Sequence, residues 1–211
     1  GSTIAEAQKK VNENVHLAKG NEMVWAGDFE NQQRATKRLA QVVPVSLLLI
    51  FLILFIMFGN IKDAGIVLLN VPFAIIGGIA ALLITGTNFS ISAGIGFIAL
   101  FGICIQNGVI LISVFKKNLQ QTKKHEFNTH TLKNVITNGV HSRVRPVVMT
   151  AMMAAIGLMP AALSTGIGSE TSRPLAIVVI GGLITATILT LLVFPLFFYV
   201  SYRRLIKAHN A

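Results

Sequence analysis

The sequence predicts an all-α membrane protein, a bundle of about five transmembrane helices behind a short polar α/β segment. Composition is the first sign. Hydrophobic residues make up 53% of the chain and charged residues only 12%, against roughly 25% charged in an ordinary soluble domain. The apolar residues fall in runs of about twenty, the length that spans a hydrocarbon core of about 30 Å. The connections between most runs are short, which sets neighbouring runs antiparallel. Lipid offers no partner to backbone amides, and a helix satisfies its own, so the runs read as helices.

Residues 1–41 are polar. Ala5 to Val15 predicts a soluble helix, with Ser2 or Thr3 as its cap and Glu6 following. Lys19, Gly20 and Asn21 form a turn. Glu22 to Ala26 alternates, with Met23 and Trp25 on one face, as a short strand does. Asp28 caps a lead-in helix that carries Arg34, Lys37 and Arg38 toward the membrane.

The first span is expected over about 42–59, followed by a turn from Asn60 to Asp63. The second covers about 64–85 and contains Pro72 and the Gly77-Gly78 pair. After a connection from Gly86 to Ser90, the third runs over about 91–115. A polar stretch from Lys116 to Arg145 follows. In it Leu132, Val135, Ile136 and Val140 recur at helical spacing, while Lys133, His141 and Arg143 fall on other faces. That pattern predicts a cytoplasmic interfacial helix over about 128–143, lying on the membrane surface. The fourth and fifth spans are expected over about 147–165 and 174–202. Pro72, Pro160 and Pro195 are expected to bend their helices. Small residues four apart predict close helix contacts: Ala74 with Gly78, Ser92 with Gly96, Ala151 with Ala155, Gly157 with Ala161, and Gly182 with Ala186.

The formal net charge of +10 reflects topology rather than nucleic-acid binding. The basic residues flank apolar spans instead of gathering on one compact domain. Lys62, the set Lys116, Lys117, Lys123, Lys124, Lys133, Arg143 and Arg145, and the tail Arg203, Arg204 and Lys207 all fall on one side. The short loops of the other side hold only Arg173. The first side is therefore cytoplasmic, the C-terminus with it, and the N-terminal segment lies across the membrane. Phe194, Phe197, Phe198, Tyr199 and Tyr202 suit an aromatic belt at that interface. Cys104, the single cysteine, excludes an intrachain disulfide and dithiol chemistry. The chain opens on Gly1 without a charged-then-apolar leader, so a fragment or a processed chain is expected.

The eight acids are Glu6, Glu13, Glu22, Asp28, Glu30, Asp63, Glu126 and Glu170, and none is placed mid-span. Proton-driven transporters keep a titratable carboxylate within the bundle, so the chain is not expected to relay protons alone. Gln106 and Asn107 lie mid-way along the third span. They either pair with neighbouring helices, at about 0.6 kcal/mol each, or serve function. Thr150 either bonds its own helix backbone or joins a site. Met149, Met152, Met153 and Met159 cluster in the fourth span. Thioethers bind soft cations but are also apolar filler, and filler is the expectation. His16, His125, His130, His141 and His209 lack ligand spacing. No metal site, no cofactor, no Ser/His/Asp grouping and no phosphate-binding loop is expected, and the chain does not read as an enzyme. Gly166 to Ser169 is a turn.

Four segments resemble one family. WAGDFENQQRATKRL, residues 25–39, leading into Val43-Pro44, is similar to the approach to the membrane in resistance-nodulation-division (RND) efflux transporters, above all their heavy-metal (cation) efflux branch. FGICIQNG, 101–108, resembles that family's tenth transmembrane helix. RVRPVVMT, 143–150, resembles the start of the eleventh. GIGSE, 166–170, with Arg173-Pro174-Leu175-Ala176 and Gly181-Gly182, resembles the start of the twelfth.

The resemblance implies the C-terminal portion of such a pump, with the last five of twelve membrane helices. Residues 3–27 would be the end of a ferredoxin-like periplasmic porter subdomain, a short α/β remnant. It implies a homotrimer when full length, in the bacterial inner membrane. The partners it implies are the missing N-terminal half, a periplasmic adaptor and an outer-membrane channel, and the driving force is the proton gradient. The family's relay carboxylates belong to the absent N-terminal half. Gln106 stands where drug-exporting relatives have a relay lysine; that departure removes a titratable group, so Gln106 is expected to support the relay, with Asn107, Thr150 and Arg143, rather than carry protons itself. Asn107 and Thr150 match positions expected to hydrogen-bond the carboxylates, and Arg143 one expected to line the cytoplasmic proton exit. The expected function is metal-cation export. The alternatives are a pump for organic compounds and a membrane scaffold that does not transport.

Overall fold

The computed structural model describes residues 10, 11, 13, 28–121, 129–166 and 168–209. All but three residues of the helix expected over 5–15, and the whole strand expected over 22–26, lie outside them. So do Lys123, Lys124 and the first residue of the expected 128–143 helix. Residue contacts divide the chain into two units, 1–42 and 43–211. In the first, the described helix exposes Arg34, Lys37 and Arg38. The second holds the bundle.

Six helices are described: α1 (Asp28–Phe58), α2 (Ile61–Leu68), α3 (Asn70–Ile84), α4 (Ile91–Gln121), α5 (Thr129–Leu163) and α6 (Ser169–His209). Among the described residues there is no strand. Five helical stretches are long and apolar enough to cross a membrane: Arg34–Phe58, Ile61–Ile84, Ile91–Gln121, His130–Leu163 and Ser169–Tyr202. The predicted bundle of about five transmembrane helices is therefore present.

The local chemistry accounts for the ends. Gly59, at φ 64°, follows α1 and donates its N–H to the Phe55 carbonyl at 2.8 Å. Asn60 then caps α2, its side chain accepting from the Lys62 N–H at 3.0 Å. Gly86, also at φ 64°, closes α3. Its N–H reaches Leu83 O at 3.2 Å and the N–H of Thr87 reaches Leu82 O at 3.0 Å, the paired bonds that satisfy a helix's last carbonyls. Ser90 Oγ accepts from the Ala93 N–H at 3.3 Å and starts α4.

The structure departs from expectation in three places. The lead-in helix and the first span are one helix, α1. The second span is broken between Leu68 and Asn70. Pro72 accounts for the break: its ring conflicts with the carbonyl four residues back, that of Leu68, and in the first turn of α3 its missing N–H costs nothing. Pro160 and Pro195 lie within unbroken helices. Finally, the helix expected on the membrane surface is no separate element. Residues 129–143 continue through Pro146 into the fourth span. Their apolar face is turned into the protein, with Leu132, Val135 and Ile136 buried and Gly139 against Phe115.

The core lies where α3, α4 and α6 meet. Residues four apart share a helix face, and two such ladders run through it. On α6 the rungs are Gly182, Ala186, Thr190, Phe194, Phe198 and Tyr202. On α4 they are Gly96, Leu100, Cys104, Gly108, Ile112 and Lys116. Small residues let the backbones close in. A Cβ on Gly182 would strike the Leu100 side chain and one on Gly181 would strike Ala81. A Cβ on Gly157 of α5 would meet nothing within 4 Å. The outer faces of α1 and α5 stay apolar and bare, as at Ile56 (79% exposed) and Met153 (74%). Faces of this kind call for lipid or further helices.

Candidate functional site

The four residues singled out in the sequence occupy different surroundings. Asn107 is buried on α4, 7% exposed, and its amide makes no hydrogen bond to any described residue. Gln106, one position earlier, is exposed. Thr150 is exposed on α5 and donates to the carbonyl of Pro146 in its own helix at 2.8 Å, the local bond that was the plainer of its two readings. Arg143 is half-buried and forms no ion pair with a described residue. No hydrogen bond joins the four to one another. Met149, Met152, Met153 and Met159 all face outward.

Two buried polar clusters that the sequence reading missed do bring elements together. In the first, Asn70 of α3 is fully buried. Its Nδ2 donates to the Cys104 carbonyl of α4 at 2.9 Å, and its Oδ1 accepts from Thr190 Oγ1 of α6 at 2.7 Å. The Thr190 hydroxyl has one proton and a second acceptor, Ala186 O at 2.6 Å, so the two compete for it. Gly108 leaves the room: a Cβ there would stand 3.3 Å from Asn70 Nδ2 and 3.1 Å from the Phe194 ring.

The second cluster is ionic. Asp63, expected in a turn, sits in the first turn of α2 with no exposed surface. A helix N-terminus favours a carboxylate there. Lys116 Nζ of α4 lies 3.0 Å from Asp63 Oδ2. The Tyr202 hydroxyl of α6 donates to the same carboxylate at 3.3–3.4 Å. Lys116 also donates to the Phe58 carbonyl at 3.0 Å, one of the groups a helix end leaves unpaired, and stands 5.4 Å from the centre of the Phe58 ring. The Tyr202 ring stacks on Phe198 at 4.2 Å, and Phe198 meets Phe115 at 5.0 Å. Lys116 keeps 26% of its side chain exposed while Asp63 keeps none. A carboxylate shut off from solvent thus stands beside an ammonium that reaches it.

A spacing signal for both clusters was present. Asp63 and Asn70 are seven residues apart, two helical turns, and continue the stripe of Ala74 and Gly78. Thr190 stands four residues beyond Ala186 and eight beyond Gly182. Lys116, at the start of the polar stretch by sequence, lies on the last turns of α4.

At the opposite end of the bundle, the α3–α4 and α5–α6 connections frame an open cavity of about 610 Å³. Asn88, Ser90, Thr165, Ser169, Glu170 and Arg173 line it. Arg173 Nε is buried there without an acceptor among the described residues. Among the described residues no group of three or more His, Cys, Asp or Glu stands ready to hold a metal ion.

Residues 1–202 match the model of the AcrB/AcrD/AcrF family. The chain belongs to this family. Its relatives include heavy-metal members of the RND transporters, the group its motifs resemble. It is 45% identical over 97% of its length to the cobalt-zinc-cadmium resistance protein CzcA of Cupriavidus metallidurans, covering 18% of that protein. It is 44% identical over 92% of its length to the nickel and cobalt resistance protein CnrA of the same organism, again covering 18%. Against the cation efflux system protein CusA of Escherichia coli K12 the identity is 34% over 92% of this chain and 19% of CusA. The crystal structure of a heavy metal efflux pump superposes on 94% of the chain, with TM-score 0.76 and 41% identity, and the match covers 19% of the pump. This AcrB/AcrD/AcrF-family chain thus spans less than a fifth of the length of those relatives. Its Asp63 and Asn70 clusters are built entirely from its own helices.

Proposed function

We propose that this chain forms the last five membrane helices of a proton-driven RND pump that exports heavy-metal cations from the bacterial inner membrane. The observation that carries the reading is the 45% identity, over 97% of the chain, to a protein named for cobalt, zinc and cadmium resistance. The pump works as a homotrimer, joined to a periplasmic adaptor and an outer-membrane channel. Its C-terminus is cytoplasmic and its N-terminal segment periplasmic.

The coupling carboxylates come from the N-terminal half of the pump. Asn107 is a mostly buried amide, 7% exposed, with donors and an acceptor to offer a carboxyl. Thr150 spends its proton on Pro146 and keeps lone pairs to accept from a protonated carboxyl. Both therefore serve as supports for the carboxylates. Arg143 lines the cytoplasmic exit, and Gln106, uncharged, has no proton role of its own. In the full-length pump, Asn107→Ala and Thr150→Ala each lower metal export at unchanged protein level. Full export by both variants rejects the assignment.

A further inference from the structure

We infer that Asp63, with Lys116 and Tyr202, is a proton-binding site of its own, at the α2 end of the bundle and separate from Asn107, Thr150 and Arg143. Its use in transport rests on the proton-driven reading above.

Three features of the geometry support it. The carboxylate is withdrawn from solvent although it stands in the first turn of α2, at the end of its span, and burying a charge is costly unless it is paired and hydrogen-bonded. Lys116, partly exposed and 3.0 Å from Oδ2, gives water a route to it. Both states of the carboxyl are also satisfied. Once Asp63 is neutral, Lys116 keeps the Phe58 carbonyl and ring, and the new O–H has the Tyr202 oxygen within reach. No buried group is orphaned, so taking up a proton does not dismantle the packing. The Asn70–Thr190 cluster has no such capacity, because neither side chain titrates.

The transfer balances. An N–H bond of the Lys116 ammonium breaks as an O–H bond forms at Asp63 Oδ2, and the neutral amine takes a proton from a hydronium ion, leaving water. The net change is one proton from hydronium to Asp63, and release reverses it. The groups facing Asp63 are few. Of the elements packed against α2, α3 carries no titratable side chain. α4 brings Lys116, with Lys117 facing outward. α6 brings Tyr202 and, one turn earlier, Tyr199, with Arg203 and Arg204 next in the chain.

The test is pH-difference infrared spectroscopy on the full-length pump in lipid. Acidification of the wild type should raise a protonated-carboxyl C=O band that is absent from Asp63→Asn. An unchanged set of bands in Asp63→Asn overturns the inference. Should that variant fail to fold, Asp63→Glu replaces it: a band altered in frequency supports the site and an unaltered one overturns it. Metal-driven pH change in proteoliposomes is read alongside. Its absence in the wild type sinks the proton-driven reading, while the infrared band still decides on Asp63.

Discussion

Replacing Lys116 by methionine should destabilise the bundle far more than neutralising its partner by Asp63→Asn. Methionine fills much of the same space but leaves a buried carboxylate whose remaining contact is the Tyr202 hydroxyl at 3.3–3.4 Å. That is long beside the roughly 2.5–2.7 Å of a strong O–H···O⁻ bond. Removing one partner of a buried ion pair costs about 3–5 kcal/mol, and the Phe58 carbonyl loses its donor for about 1 kcal/mol more. In Asp63→Asn, Lys116 retains the Phe58 carbonyl and the ring face, the latter contact contributing about 0.5–2 kcal/mol. The amide still accepts from Tyr202, and the cost falls to about 1–3 kcal/mol. The double variant leaves no unpaired charge. Its cost should fall short of the sum of the singles by about 2 kcal/mol, the size of coupling expected for residues in direct contact. Unfolding of the purified pump by titration with a denaturing detergent, followed for all four proteins, completes the cycle. Additive costs, or a Lys116→Met variant more stable than Asp63→Asn, would refute this reasoning.

The same assay should give Gly182→Ala and Gly157→Ala opposite signs. The new Cβ of the first runs into Leu100 and costs about 1–3 kcal/mol, whereas the second meets nothing within 4 Å in this chain and gains about 0.5–1 kcal/mol by replacing a helical glycine only where lipid covers that face; a loss there instead places another helix on it. Asn70→Leu removes both interhelical bonds of the first cluster and should cost about 0.6–2 kcal/mol, the range of hydrogen bonds between membrane helices; with Thr190→Val already present the further loss should shrink, and an equal loss would deny the link. The proposed orientation is checked by cysteine labelling in a Cys104→Ala background: Asn88→Cys should react with an impermeant maleimide in intact cells and Asn60→Cys only after permeabilisation, the reverse pattern contradicting it.

The helices were legible because lipid imposes one coarse rule, long apolar runs, which α1, α2 together with α3, α4, α5 and α6 all obey. The break before Asn70 was legible only as a bend at Pro72, since Pro160 and Pro195 carry the same signal and lie within unbroken helices. Asp63 was misplaced because a charge beside Asn60 and Lys62 reads as water-exposed. Only its two-turn spacing to Asn70 reveals that it shares the buried face. The amphipathic pattern of 129–143 was read correctly as a helix, but the pattern cannot tell a lipid surface from a protein surface, and Phe115 on α4 supplies the latter. Asn107 and Thr150 stood out as polar side chains within the third and fourth spans, and the resemblance supplied their expected roles. Among the described residues Thr150 bonds only its own helix, at Pro146, and no hydrogen bond links it to Asn107, so the described structure shows no site around them. The Asp63 cluster is complete within the chain, and side-chain packing across three helices was what it took to see it.

Proton-coupled metal transport is measured most directly with the full-length pump in proteoliposomes, loaded with a metal-sensitive dye and held across a pH gradient. Zinc or cobalt should move against the proton flow, and a protonophore should stop it. Metal flux that persists unchanged once the gradient is collapsed would contradict a proton-driven exporter.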